Sequence, residues 1–124
     1  MCGISNGITG FAAATIWASA FSDAAGFNGD ATNWGTIQFP DLNGDGKADV
    51  CGRGPTGVVC GWSNGTSAFA TGNWLDRYTD LDGSGTDLSY GATLSVANLN
   101  VSGCQVVTGR GTYLKPSVRR LAPF

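Results

Sequence analysis

One nine-residue run of this chain carries oxygen donors at a spacing that suits a hard cation: Asp41-Leu42-Asn43-Gly44-Asp45-Gly46-Lys47-Ala48-Asp49. Asp41, Asn43, Asp45 and Asp49 stand at positions 1, 3, 5 and 9 of this loop, and the Lys47 carbonyl is available at position 7. Gly44 and Gly46 allow the tight curl that brings those oxygens together. Calcium demands such a set, because it takes roughly six to eight oxygens at about 2.3–2.6 Å and needs carboxylates to balance its charge. Calcium is therefore the expected cofactor. Arg53 or its neighbours, none of them an acid, sit where an EF-hand has its last carboxylate, and strand-like runs flank the loop, so a helix–loop–helix is not expected. The alternative is an Asx-rich turn without metal. A second segment, Asp80-Leu81-Asp82-Gly83-Ser84-Gly85-Thr86-Asp87, has similar chemistry, but its ninth residue is Leu88. It is read as a weaker ion site or a polar turn.

The four tryptophans suggest another chemistry. An indole face stacks on the apolar face of a sugar, while amide and charged groups read its hydroxyls. Trp34 and Trp62 are the candidates for this role, with Asn64 and Arg53 as polar partners. Trp17 and Trp74 are read as packing residues. Each sugar candidate also has a plain alternative as a turn or packing residue.

What the chain lacks narrows the classes. It has no His and no Glu, so His-dependent catalytic triads and His-containing zinc sites are excluded. No catalytic residue is assigned and the chain is read as not an enzyme. The residual enzymatic option is glycoside hydrolysis by Asp76 or Asp80. The net charge is −2, and four of the seven basic residues fall after Gly109. That is a basic tail, not a nucleic-acid-binding face, and no nucleic-acid partner is expected. No apolar run reaches the ~18 residues of a membrane span. Phe11–Ala20 is like the apolar region of a signal peptide but lacks its charged start.

Short elements must position these residues. Gly supplies 20 of 124 residues, and with Asn, Ser and Thr it punctuates runs of strand length. Strands are expected at Gly35–Phe39, Ala48–Arg53 and Gly57–Trp62, with a weaker one at Phe11–Trp17. The competing reading is a short helix at Ala12–Ala20. The turn Gly54–Gly57 places Cys51 opposite Cys60 in an antiparallel hairpin, within disulfide range if the pair is a non-hydrogen-bonded one. That reads as a disulfide in an oxidising compartment, with two buried thiols as the alternative.

The chain also repeats. Cys2-Gly-Ile-Ser-Asn-Gly7 returns as Cys60-Gly-Trp-Ser-Asn-Gly65, a shift of 58. After one deletion the shift is 57, matching Trp17 to Trp74 and Gly52-Arg53-Gly54 to Gly109-Arg110-Gly111. The organisation expected is one unit over residues 1–59 with the calcium loop, a degenerate unit over 60–111, and a basic tail over 112–124. The second unit has Asn98, Ser102 and Val106 in place of the loop acids Asp41, Asp45 and Asp49, keeps an Asn at Asn100, and has Thr108 in place of Cys51.

The run FPDLNGDGKADVCGRG, from Phe39 to Gly54, followed by GVVCGWSNGTSAF, from Gly57 to Phe69, resembles the FG-GAP/VCBS repeat of integrin-like β-propellers. It is similar to the version in Psathyrella-type N-acetylglucosamine-binding propeller lectins. The resemblance implies an all-β fold of two four-stranded β-propeller-type blades, with Asp41, Asn43, Asp45, the Lys47 carbonyl and Asp49 on calcium. It also implies a secreted lectin-like module with sugar bound between blades. Two blades do not close a propeller of four to eight, so the expectation is a homo-oligomer or part of a longer array. The other function expected is a non-catalytic structural or protein-interaction module.

Overall fold

The computed structural model describes residues 1–83, 85, 88, 93–98, 105–110 and 116–120, the last two segments by their backbone. The chain is mostly β, with little helix. Among the described residues, six strands form two three-stranded antiparallel sheets. The first contains β1 (Val50–Gly54), β2 (Gly57–Ser63) and β3 (Phe69–Leu75), in that order. The second contains β4 (Ser95–Asn98), β5 (Gln105–Arg110) and β6 (Pro116–Arg120).

β1 and β2 form because a β-branched, glycine-spaced run is folded back by Gly54-Pro55-Thr56-Gly57. Gly57 takes φ 134°, and a Cβ there would collide with the Leu75 carbonyl, so the turn requires glycine. Cys51 faces Cys60 in this register. The N–H and C=O of Cys51 are both bonded to Gln38 on its other side, at 2.9 and 2.7 Å. The Cys51–Cys60 pair is therefore of the non-hydrogen-bonded kind, in which the chains approach most closely. Its Cα atoms are 4.1 Å apart and a disulfide joins them.

The expected Gly35–Phe39 strand contracts to this single bridge at Gln38. Phe11–Trp17 contributes only bridges, Ser5 to Phe11 and Cys2 to Thr15. No helix covers Ala12–Ala20. Instead a 3-10 turn forms at Asp23–Ala25 and a four-residue helix, α1, at Ala31–Trp34. The Asp30 side chain caps α1 by accepting the Thr32 N–H at 2.8 Å, a local signal of the N-cap kind.

Two hairpins share one pattern. Asn6 Oδ1 accepts the N–H groups of Ile8, Thr9 and Gly10, and Asn64 Oδ1 accepts those of Thr66, Ser67 and Ala68. Ser5 Oγ accepts from Gly7 as Ser63 Oγ does from Gly65. Ser5 pairs with Phe11 as Ser63 does with Phe69, while Cys2 pairs with Thr15 and Cys60 with Gly72, one residue different in separation. A Cβ on Gly3 would press on the Ala12 carbonyl at 2.8 Å, and one on Gly61 on the Ala70 carbonyl at 3.1 Å. Further along, Gln38 bridges Cys51 as Ser95 bridges Thr108.

Leu42, Cys51, Val58, Cys60, Tyr78, Leu94 and Val96 form the core. Val58 and Cys60 lie two apart in β2 and share a face, while Val96 comes from β4 and Leu94 immediately precedes it. Burying each Val or Leu contributes about 1.5–3 kcal/mol before the entropy of ordering is set against it. The Gln38 amide links the sheets, donating from Nε2 to the Leu94 carbonyl at 2.6 Å and accepting from the Val96 N–H at 3.2 Å.

Candidate metal loop and the residues around it

The loop from Asp41 to Asp49 folds around its first residue. Asp41 Oδ1 accepts the N–H groups of Gly44 and Asp45, at 2.8 and 3.2 Å, and Oδ2 accepts that of Gly46 at 2.9 Å. Gly44 and Gly46 have φ of 76° and 81°, the left-handed region open to glycine. Asn43 Oδ1 accepts from the Asp45 N–H at 3.1 Å. Asp45 Oδ1 takes the Lys47 N–H at 2.9 Å, and its Oδ2 takes the Lys47 ammonium at 2.8 Å. That bond holds the Asp45 carboxyl below the usual carboxylate range and raises the Lys47 ammonium above its own.

Asp49 behaves differently. It is fully buried. Its Oδ2 accepts the Leu42 N–H and its Oδ1 the Ser63 N–H, both at 2.8 Å. These two N–H bonds give each buried carboxyl oxygen a partner and tie the loop to the end of β2. The Lys47 stem lies over the adjoining turn, where a Cβ on Gly65 would meet its Cδ at 2.7 Å.

Among the described residues no three acidic, thiol or imidazole groups converge at metal-binding distance. The donor chemistry nevertheless fits a hard cation. Asp41, Asn43 and Asp45 present oxygens on one curled segment beside the Lys47 carbonyl, and Asp41 Oδ2, Asn43 Oδ1 and Asp45 Oδ1 each accept one N–H and keep a second lone pair. A cation at Asp45 has to displace the Lys47 ammonium.

The four sugar candidates do not come together. Arg53 is 1% exposed. Its Nε donates to the Thr32 carbonyl at 3.0 Å, and Nη2 donates to Thr32 Oγ1 at 2.9 Å and to Asn33 Oδ1. Nη1 donates to the Tyr78 carbonyl at 3.1 Å and to Asp80 Oδ1 at 2.7 Å. Every edge of the guanidinium is used inside the fold, so Arg53 joins β1 to α1 and to the Tyr78–Asp80 segment instead of meeting solvent. Trp62 is half-buried and packs edge-on against Trp74, with ring centres 6.1 Å apart. Asn64 spends Oδ1 on its turn. Trp34 stands apart on α1, 54% exposed.

The Asp80–Asp87 segment places Asp80 on Arg53, which uses the carboxylate expected for an ion. Asp87 lies outside the described residues, as do Cys104 and Asn100.

A pocket of about 200 Å³ lies between the N-terminal hairpin and the first sheet, lined by Cys2, Trp17, Phe21, Phe39, Val50 and Phe69 among others. Trp17 meets Phe69 there with ring centres 5.5 Å apart, and the Trp17 carbonyl accepts the Phe69 N–H at 3.0 Å. The lining residues have apolar side chains for the most part and include none of the sugar candidates.

The network Asp30–Thr32–Asn33–Thr36 around Arg53 was not singled out from the sequence. Asn33 is 1% exposed and its Nδ2 donates to the Gly26 carbonyl at 2.8 Å. The available signal was Gly52-Arg53-Gly54, since glycines on both sides of a charge mark close packing. A Cβ on Gly52 would crowd Phe21 and Ile37.

Comparison with models of known protein families, with curated proteins and with solved structures returned no match for this chain.

Proposed function

We propose that this chain is a non-catalytic, calcium-stabilised β-propeller-type module that works by joining blade to blade, within a homo-oligomer or a longer secreted array. The observation that carries the reading is the equivalent pairing at the tips of the two hairpins, Ser5–Phe11 and Ser63–Phe69, with the same Asn-centred turn at Asn6 and Asn64. Equivalent strand pairs at a fixed chain offset are how blade repeats are built. The resemblance to FG-GAP/VCBS repeats agrees with it. Asp41, Asn43, Asp45 and the Lys47 carbonyl would hold the ion, with Asp49 bracing the loop. Calcium there would supply rigidity and no chemistry. Asp80, Asp49 and Asp41 are all engaged in internal bonds, which supports a non-catalytic role. The Cys51–Cys60 disulfide favours an oxidising, extracellular setting.

Thermal unfolding with calcium and with a chelator tests this reading. At a hundredfold excess over Kd, the ion adds about 2.7 kcal/mol, or about 10 °C at this chain length. Asp45→Ala should abolish that gain. Light scattering should give a multiple of 12.7 kDa for a self-closing ring, and a strict monomer overturns ring assembly.

Carbohydrate binding is the second reading, favoured by the exposed indole of Trp34. A glycan array, run with and without calcium, should show hits that Trp34→Ala removes. No hit under either condition rejects it.

A further inference from the structure

We propose that Asn64 is an acceptor for N-linked glycosylation. Of the eight asparagines in the chain, only Asn64 and Asn100 stand two residues before a Ser or Thr, the spacing that the transfer reaction recognises. Asn100 lies outside the described residues. Asn64-Gly65-Thr66 occupies the tip of the β2–β3 hairpin, where every residue from Asn64 to Ala68 is exposed.

The chemistry at Asn64 suits the product as well as the substrate. In the transfer, Asn64 Nδ2 forms a bond to the anomeric carbon of a polyprenyl-diphosphate-linked oligosaccharide. The bond from that carbon to the diphosphate oxygen breaks, the lipid diphosphate leaves, and Nδ2 loses one proton. The modified amide keeps Oδ1 and one N–H. Those are the groups the turn uses: Oδ1 accepts the N–H groups of Thr66, Ser67 and Ala68, at 3.0, 2.9 and 3.0 Å, and Nδ2 makes one bond, to Ser67 Oγ at 3.0 Å. The glycan therefore replaces a hydrogen that the fold does not need. The Thr66 hydroxyl faces the same carboxamide, 3.4 Å from Oδ1. The disulfide four residues upstream, at Cys60, forms in the same oxidising compartment in which this transfer takes place.

The chain contains its own control. Asn6 makes the same turn with the same exposed tip, but Ile8 stands where Thr66 does. Recognition of the motif, and not of the turn, should separate the two.

The test is secretion of the full chain from a eukaryotic cell, followed by peptide mass spectrometry after glycanase release in heavy-oxygen water. An enzyme-free arm corrects for spontaneous Asn-Gly deamidation. The expected result is heavy-oxygen Asp at position 64, none at position 6, and loss of the label at 64 in Thr66→Ala but not in Thr66→Ser. Ile8→Thr should install a second glycan, at Asn6. An unmodified Asn64 in the secreted wild-type chain overturns the proposal, as does label at 64 that survives Thr66→Ala.

Discussion

Replacing Arg53 with Met keeps the length of the buried stem and removes the guanidinium. It leaves the Thr32 carbonyl, the Tyr78 carbonyl and Asn33 Oδ1 without the donors they have now. A buried acceptor that loses its partner costs about 1–3 kcal/mol. The ion pair with Asp80 adds little, because that carboxylate is 44% exposed and such pairs are worth about 1 kcal/mol or less. With the acceptors at the low end of their range, Arg53→Met should destabilise the fold by about 3–5 kcal/mol. A chain of 124 residues unfolds with an entropy of about 0.26 kcal/mol/K. The melting temperature should therefore fall by about 12–19 °C, read by circular dichroism or calorimetry. Asp80→Asn removes only the exposed half of the pair and should cost under about 4 °C. If the two variants melt within error of each other, or if Arg53→Met keeps the wild-type melting point and loses a glycan ligand, the internal-hub assignment is wrong.

Converting Cys51 and Cys60 together to Ala opens a loop of ten residues, worth about 2.7 kcal/mol in chain entropy, so the melting point should drop by about 10 °C in non-reducing buffer. Gly57→Ala drives a methyl group into the Leu75 carbonyl at a left-handed φ and should cost more than about 2 kcal/mol by denaturant titration. The Thr32 hydroxyl bonded to Asp30, with smaller help from its N–H and from Arg53, lowers the Asp30 carboxyl below its ordinary value. The unfolded chain then takes up that proton first as pH falls, so this stabilisation is complete above about pH 4 and is lost as pH drops through the folded value. Asp30→Asn should flatten the acid limb of a melting-temperature profile and leave neutral pH nearly unchanged, since Asn also caps helices.

Much of the first sheet was readable in the residues. The turn at Gly54–Gly57 sets the Cys51–Cys60 register, and with it the disulfide. The surroundings of Arg53 were not readable. A charged residue reads as solvated by default, and what buries this one is α1, a four-residue helix too short to leave a periodic signal. The Gly35–Phe39 run alternates like a strand, yet only Gln38 pairs, because Thr36 turns its hydroxyl to the Asn33 carbonyl at 2.7 Å and to the Arg53 N–H. The loop from Asp41 to Asp49 shows why like residues at regular spacing need not act alike: Asp45 is exposed on Lys47, while Asp49 is buried on two backbone N–H groups.

The likeness of the two hairpins sets a problem for oxidative folding. Strand β1 is offered two near-identical edges, one beginning at Cys2 and one at Cys60, and Cys51 can be oxidised against either thiol. Closing the native ring spans ten residues, whereas the rival ring from Cys2 to Cys51 spans fifty. The difference in closure entropy is about 1.4 kcal/mol, roughly a tenfold bias toward the native bridge. A shorter loop thus favours Cys60 over Cys2 as the partner of Cys51 before the core exists.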